Sequence, residues 1–363
     1  MPASSSIPDQ SLSKAVINGV QAWDSLSEAE WQRLAETSGN LFATPGWMNL
    51  WREHLARGES VAVVCKRDGV VFGIWLFDVV NRGGVRLARL AGHGPADELG
   101  PVCSPAEAVD ATHMLLDVIE ERQLPADLVL LENLPGDQHW NKWLSQEPLL
   151  VGPSPVLDMR DMTHEEWLAR GTSKARGRRR RAQEAFAERG SITRIDQLEQ
   201  VPAAMDDLLA LHELRWSDGQ SVAFNEPLDL FHREFAMNAF KRGWLRLFIA
   251  RIGEQPVAAW YGFRFGEATW FYQSGRDPGS DKLAPGIQLM LASIDCAFED
   301  GSRELRLLRG GEDYKSRFSN SDRKLDTFLI PCSMKGHICA AAVTATGWIP
   351  GLRGFVLSRF GSG

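Results

Sequence analysis

Four consecutive residues, Glu312, Asp313, Tyr314 and Lys315, have side chains that can exchange a proton or carry a charge, and they follow the turn Gly310-Gly311. A phenol or an ammonium group can donate a proton and a carboxylate can accept one, so the turn is a candidate for acid–base chemistry. Structural roles are the alternative, because acidic residues cap helices and a tyrosine can be a packed aromatic. The chain has only three tyrosines against 17 phenylalanines, so a hydroxyl here is not the usual aromatic filler.

The elements before this turn are of the kind that position a ligand. Apolar and alternating runs predict β-strands over Leu245–Arg251, Pro256–Phe265 and Ala268–Ser274. A turn-rich loop from Arg276 to Gly286 follows, and apolar residues then recur at helical spacing over Ile287–Phe298. A strand followed by a loop and a helix start exposes unpaired backbone N–H groups, which bind anions.

The predicted anion site lies at the start of that helix. We expect the backbone N–H groups of Leu283, Ala284 and Gly286 to meet the phosphates of a nucleotide-like ligand, with Lys282 adding positive charge. Pro285 has no N–H group to donate. The alternative is that this segment is simply a loop.

The sequence resembles the GNAT acyltransferases, and more closely the cellulose-biosynthesis-associated acetyltransferases, which are related to the FemX-like transferases. The resemblance covers roughly Ser173 to Phe318. The matching segments are Leu211-His212-Glu213-Leu214-Arg215-Trp216, Pro256–Ala259, Tyr272–Asp277, Ala284-Pro285-Gly286 and Gly310–Lys315. It implies an acyl-CoA co-substrate such as acetyl-CoA, no metal, and acyl transfer to an amine. The loop departs from the Gln/Arg-x-x-Gly-x-Gly/Ala signature, which leaves the acyl donor open.

Roles for individual residues follow from the resemblance. GNAT folds place a tyrosine after the fifth strand to protonate the leaving thiolate, and Tyr314 lies at the matching place. Glu312 or Asp313 would then accept the proton of the attacking amine, and Lys315 would contact the acceptor.

A basic run from Lys174 to Arg181 opens a predicted helix, in which Lys174, Arg178 and Arg181 share one face. This face could hold the phosphates of CoA, an anionic sugar or the acceptor stem of a tRNA. A solvated helix face is the alternative, and Gly177 makes a long rigid helix less favourable.

A weak internal repeat predicts an α/β (α+β) fold of tandem GNAT-like domains, each a mixed, mainly antiparallel sheet flanked by helices. Predicted strands at Val61–Lys66, Val70–Phe77 and Leu128–Leu131 match later ones in order, and a capping box at Ser104 opens the intervening helix. The predicted divisions are a disordered start (1–14), an N-terminal domain (15–153), a C-terminal acyltransferase domain (154–331) and a C-terminal extension (332–363).

The two copies differ in the loop before the helix. In the first copy this loop carries Asp97 and Glu98, which would repel a pyrophosphate, so we expect no donor site there. The two carboxylates, together with Arg215, could instead face the cleft between the copies and recognise a cationic acceptor amine.

Composition fits an ordinary globular protein of two domains. A net charge of -7 argues against non-specific DNA binding, and the five scattered cysteines form neither a zinc motif nor a disulfide framework. The N-terminus lacks the features of a secretory signal. The apolar tail from Ile338 to Phe360 is too interrupted to span a membrane, so a packed or surface-lying extension is expected, with peripheral membrane contact as the alternative.

These observations predict a cytoplasmic acyltransferase that moves an acyl group from a CoA-type thioester to an amine of an amino sugar or small metabolite. One alternative is a FemX-like transferase that uses aminoacyl-tRNA, for which the arginine cluster is suited. Another is a non-catalytic accessory protein of polysaccharide biosynthesis. The acceptor, the acyl chain and the oligomeric state stay open.

Overall fold

A computed structural model describes residues 11–215 and 226–346 of the chain. Its strands are β1 Leu12–Asn18, β2 Glu59–Arg67, β3 Val70–Arg82, β4 Val85–Leu90, β5 Val102–Cys103, β6 Leu128–Pro135, β7 Leu150–Gly152, β8 Pro155–Asp158, β9 Gly190–Arg194, β10 Leu245–Ile252, β11 Gln255–Phe265, β12 Ala268–Arg276, β13 Glu304–Arg306, β14 Ser321–Asp322 and β15 Leu325–Pro331. Its helices are α1 Glu28–Ser38, α2 Pro45–His54, α3 Ala108–Glu120, α4 Trp140–Trp143, α5 His164–Ala169, α6 Ser173–Ala187, α7 Val201–Arg215, α8 Leu228–Lys241, α9 Pro285–Glu299, α10 Asp313–Ser316 and α11 Met334–Thr346.

The strands form two mixed sheets flanked by helices, which confirms the predicted fold class. The first sheet has the order β1-β2-β3-β4-β6-β15-β7, with β5 paired to β3, and the second has the order β14-β8-β13-β12-β11-β10-β9. Each sheet contains three consecutive antiparallel strands, then a helix, then a strand that returns parallel to the third. The repeat seen in the sequence is therefore a repeat of topology.

The two units exchange strands. After the last parallel strand of the first unit, β8 crosses to the second sheet and pairs with β13. Later, β15 returns from the second unit and pairs with β6 of the first sheet. Strand β8 follows the predicted division at 153/154, and β15 adds to the first sheet although the prediction placed it in the C-terminal domain.

Both ends of the described chain pack against the first sheet. Residues 12–14, which were predicted to be part of a disordered start, belong to β1 and pair with β2, and Lys14 pairs with Asp117 and Glu121. Helix α11 packs on the outer face through Cys339 and Ala340. None of the helices in the described part is long and apolar enough to cross a membrane.

One hydrophobic core joins the units. Trp47 of α2 lies 4.7 Å, ring centre to ring centre, from both Phe231 and Phe235 of α8. It also lies 5.7 Å from Tyr272 of β12. A second core fills the space between the second sheet and α9. These buried aromatic contacts hold the two sheets against each other. Side chains from both units can therefore contribute to one site.

Candidate active site at the divergence of two strands

The candidate site lies where β12 and β13 separate. The two strands pair in parallel only from Ala268 to Trp270 of β12 and from Glu304 to Arg306 of β13. β12 continues to Arg276 beyond this pairing, so the sheet opens between these two neighbouring strands. Alternate residues of the unpaired part face opposite sides, with Phe271 in the core under α9 and Tyr272 in the core shared with the first unit.

The start of α9 lies at the open end. Ala284 is in the left-handed conformation at the N-cap and makes no side-chain cap. Its N–H donates to the carbonyl of Asp281 at 3.0 Å, and the N–H of Ile287 donates to the carbonyl of Ala284 at 2.9 Å. The Ala284 amide is thus already used, which departs from the sequence expectation. Gly286 is the first-turn position whose N–H donates to no acceptor within the described residues.

Space is available beside Gly286. A methyl group built there would meet only the Cδ atom of Arg276, at 3.6 Å, which is ordinary contact. Arg276 ends β12 and pairs with Asp281 of the same loop. Arg276 is therefore a neighbour of Gly286 that sequence reasoning did not assign to the site, although the residue lies in a segment that the sequence singled out. Leu283 packs against the core under α9, and no ion pair is recorded for Lys282 in the described residues.

The basic helix α6 contacts the 3₁₀ turn Pro278–Leu283 that leads into α9. It runs unbroken through Gly177, contrary to the expectation that this residue disfavours a long helix. Arg176 and Arg179 are engaged with carbonyl groups of the preceding segment. Arg178 is exposed on this helix, so its guanidinium is accessible to solvent beside the turn that leads into α9.

The turn after β13 is fixed by Lys315. Its buried ammonium group lies 2.9 Å from the Glu312 carboxylate and donates to the carbonyl of Arg309 at 2.8 Å. Lys315 therefore organises the turn, which is a different use from the acceptor contact expected from the sequence. Tyr314 is half-buried and packs against the core under α9, on the same side of the sheet as the start of that helix. Asp313 is the first residue of α10.

Asp97 of the first unit reaches the same turn. Its carboxylate lies 3.4 Å from the guanidinium of Arg309. Burial raises the pKa of Asp97 to about 6, although the positive charges of Arg309 and Lys315 lower it. Beside it, the hydroxyl of Tyr272 donates to the carbonyl of Pro95 at 2.7 Å. The loop of the first unit is thus attached to both diverging segments.

Glu98 has a different position from its neighbour. Its side chain is 1% exposed and lies 2.9 Å from Arg306 of β13 and 3.6 Å from Arg323. Such a buried ion pair joins the two units, so it corrects the expectation that Glu98 contacts the acceptor. Arg215 is the last residue of α7, and its side chain and the whole of Trp216 lie outside the described residues.

The matching opening in the first sheet is filled. There, β4 and β6 pair in parallel from Leu87 to Arg89, and the following loop packs into the space where they would part. Within that loop the N–H of Leu99 donates to the carbonyl of Asn133 at 3.0 Å. The single donor site therefore stays a prediction, to which this loop contact adds a steric argument beside the argument from charge.

One group of described residues has the composition of a metal site: Glu53, His54 and Glu234, on α2 and α8. His54 and Glu234 lie 3.1 Å apart and form a surface ion pair when the histidine is protonated. No step of the chemistry considered below uses them.

Residues 173–316 match the family model Acetyltransf_6, described as an acetyltransferase (GNAT) domain. No curated protein sequence matches the chain. Among solved structures, FemX is 13% identical over 84% of this chain and 96% of its own, with a TM-score of 0.60. L-PGS from Bacillus licheniformis is 9% identical over 88% and 95%, with a TM-score of 0.53. A conserved protein of unknown function from Bacteroides thetaiotaomicron is 12% identical over 84% and 97%, with a TM-score of 0.54.

At these identities the likeness to solved structures concerns the fold alone. The family match covers the strands, the helix start and the turn that build the opening described above. Residues 173–316 of this chain are therefore similar to GNAT-type acetyltransferase domains.

Proposed function

We propose that the protein, acting in the cytoplasm, transfers an acyl group from a CoA-type thioester such as acetyl-CoA to the amine of an amino sugar or small metabolite. Its nearest group would be the cellulose-biosynthesis-associated, FemX-related acetyltransferases. The observation that carries the proposal is the opening between β12 and β13, which has the start of α9 with the unbonded amide of Gly286 on one side and the buried carboxylate of Asp97 on the other.

The donor would bind on the α9 side. The free amide of Gly286 and the positive charges of Lys282 and Arg178 would hold its phosphates, with the Leu283 segment lying alongside. The thioester would then extend into the opening between the strands. Because the first unit's own opening is filled, one donor would bind per chain.

The acceptor would approach from the side of the first unit. Its ammonium group would lose a proton to Asp97, whose pKa of about 6 leaves it mostly ionised at neutral pH. The amine nitrogen then attacks the thioester carbonyl carbon, and the carbon–sulfur bond breaks. Tyr314 would donate its hydroxyl proton to the departing thiolate, and the nitrogen of the new amide would pass its surplus proton back to the Tyr314 phenolate. Glu312, and Asp313 at the helix start, are the alternative proton acceptors on this turn.

Calorimetric titration with acetyl-CoA, followed by an assay of thiol release with amine acceptors such as glucosamine, tests the proposal. We expect one site per chain, and thiol release that depends on both substrates. Two equivalent sites, or no heat with any acyl-CoA, would contradict it. Gly286→Glu serves as the matched variant that should not bind donor.

The second candidate is aminoacyl transfer from a charged tRNA. The exposed basic face of α6 next to the donor loop favours it, because lysine and arginine side chains bind phosphate backbones. Release of free tRNA from an aminoacyl-tRNA in the presence of an amine, with no reaction of acyl-CoA, would establish this candidate over the first.

A further inference from the structure

Arg309 is fixed at its backbone and exposed at its side chain. It follows Leu308, a buried residue in the left-handed conformation, with φ 60°. Its carbonyl accepts a hydrogen bond from Nζ of Lys315 at 2.8 Å, and the next N–H group, that of Gly310, donates to the carbonyl of Pro153 at 3.2 Å. The side chain of Arg309 is 51% exposed. Its guanidinium group can therefore move while the turn that carries it stays in place.

The contact between Arg309 and Asp97 is a loose one. Nε of Arg309 lies 3.4 Å from Oδ1 of Asp97, which is longer than the ~2.7–2.9 Å of a charge-assisted hydrogen bond. The guanidinium group donates no hydrogen bond to any residue within 11–215 and 226–346. Ion pairs that are half exposed contribute little to stability. A ligand can therefore displace this guanidinium group at small cost.

The second cation near Asp97 is held in a different way. Lys315 is buried, and its ammonium group is already used by the Glu312 carboxylate and the carbonyl of Arg309. The Asp97 side chain is only 11% exposed, and a buried carboxylate needs a positive charge beside it. The negative charges of Glu98 and Glu312 increase that need. A molecule that takes the place of Arg309 must therefore bring a positive charge of its own.

We propose, resting on the acyl transfer proposed above, that Arg309 occupies the place of the acceptor's ammonium group and withdraws when a cationic amine binds Asp97. The acceptor then exchanges one positive charge for another beside the carboxylate. A neutral molecule offers no such exchange and is excluded. Arg309 is thus a residue that selects cationic amines, and it gains and loses no proton in doing so.

The same exchange favours release of the product. After acyl transfer the product is a neutral amide, which does not compete with a guanidinium group for a carboxylate. Arg309 therefore returns to Asp97 and displaces the amide. Its charge also favours loss to solvent of the proton that Asp97 took from the acceptor, which restores the site for the next acceptor.

Steady-state kinetics of Arg309→Ala with acetyl-CoA and glucosamine test this exchange. At pH 8 we expect a KM for glucosamine roughly two- to five-fold lower than that of wild type, the effect of removing a half-exposed ion pair that competes with the acceptor. The KM for acetyl-CoA should not change. The neutral product N-acetylglucosamine should inhibit the variant more strongly than wild type, since no guanidinium group displaces it.

The pH profile gives a second measurement. Arg309 lowers the pKa of Asp97, so in Arg309→Ala the rise of kcat/KM should lie at a higher pH than the wild-type value of about 6. The other titratable groups that face Asp97 are Lys315, Glu98, Glu312 and Tyr272. Arg309→Lys keeps the charge and should return the profile towards that of wild type. Added methylguanidinium should compete with glucosamine in the alanine variant and much less in wild type.

Arg303→Ala is the matched control, because Arg303 is 57% exposed and pairs with Glu267 at the other end of β13. It should keep the wild-type KM and pH profile. Thermal melting checks folding, and Arg309→Gln replaces the alanine variant if that one does not fold. An equal or higher KM for glucosamine in the folded variant, or an unshifted pH profile, would overturn the role of Arg309 alone. Wild-type protein that releases no thiol would contradict the proposed function itself, and the exchange with it.

Discussion

Nη1 of Arg306 lies 2.9 Å from Oε2 of Glu98, and the two residues come from different units of the fold. Both are buried, and Arg306 also lies over the ring of Trp270, 4.3 Å from its centre. This pair holds the loop of the first unit against the point where β12 and β13 separate. The position of Asp97, the preceding residue of the loop, is therefore set partly by this ion pair, together with the hydrogen bonds that the loop makes at Pro95 and Leu99.

Replacing Arg306 by leucine should destabilise the protein by about 3–5 kcal/mol, because it leaves the Glu98 carboxylate buried without its closest partner. Because Nη1 of Arg323 also lies 3.6 Å from Oε2 of Glu98, we expect the loss of stability to be at the lower end of this range. Urea unfolding measures the change. The double variant Glu98→Gln/Arg306→Leu should recover part of the lost stability, so strictly additive losses would argue against a coupled pair.

Gly286→Glu should remove donor binding while the protein stays folded. The added carboxylate would occupy the space over the free amide and repel a phosphate. Gly286→Ala is the control, since its methyl group meets only Arg276 at a normal distance. We expect the alanine variant to bind acetyl-CoA within a few-fold of wild type. Calorimetry with both variants gives the comparison, and full affinity in the glutamate variant would place the donor elsewhere.

Tyr314→Phe should slow turnover by ~10²–10⁴-fold, the usual cost of losing a general acid. The ring packing of Tyr314 is kept, so stability and donor affinity should change little. Steady-state kinetics with a saturating acceptor measure the effect. Turnover within a few-fold of wild type would assign the acid to water or to another residue.

Asp97→Asn should change the pH dependence of the reaction. With Asp97 as the proton acceptor, kcat/KM should rise as the pH increases through about 6. The charged groups that act on it are Arg309, Lys315, Glu98 and Glu312. The Asp97→Asn variant should be slower, and its kcat/KM should not show this rise with pH. An unchanged profile would move the role to Glu312.

The same carboxyl group should affect stability in a defined direction. Burial raises the folded-state pKa of Asp97, so its contribution to stability is present below the unfolded value and is lost as the pH rises through about 6. Asp97→Asn should therefore gain stability relative to wild type between pH 5 and pH 8. Urea unfolding at the two pH values checks the sign.

Local patterns in the sequence predicted the elements of the site well. The predicted strands Leu245–Arg251 and Pro256–Phe265 correspond to β10 and β11, and the predicted helix Ile287–Phe298 lies within α9. These elements have strong periodicity of their own, because one face of each is buried. The Ser104 capping box was only partly right, since Ser104 bonds the Glu107 side chain but starts a 3₁₀ turn before α3.

Contacts between distant parts of the chain could not be predicted in the same way. Glu98 and Arg306 are 208 residues apart, and no periodicity marks a loop residue as the partner of a strand end. For the same reason Lys315 looked like a ligand contact, although its ammonium group is used within its own turn. The exchange of β8 and β15 between the sheets also could not be predicted from local sequence, because a short apolar strand can pair with the edge of either sheet.

The exchange of β15 also has a consequence for synthesis of the chain. Strand β6 ends at Pro135, but its partner β15 begins at Leu325, so most of the polypeptide must leave the ribosome before that edge of the first sheet is covered. Until then the nascent first unit exposes the backbone edge of a largely buried strand, which is prone to pairing with other chains. A product that stops short of Leu325 should therefore aggregate even though it contains every residue of the candidate site.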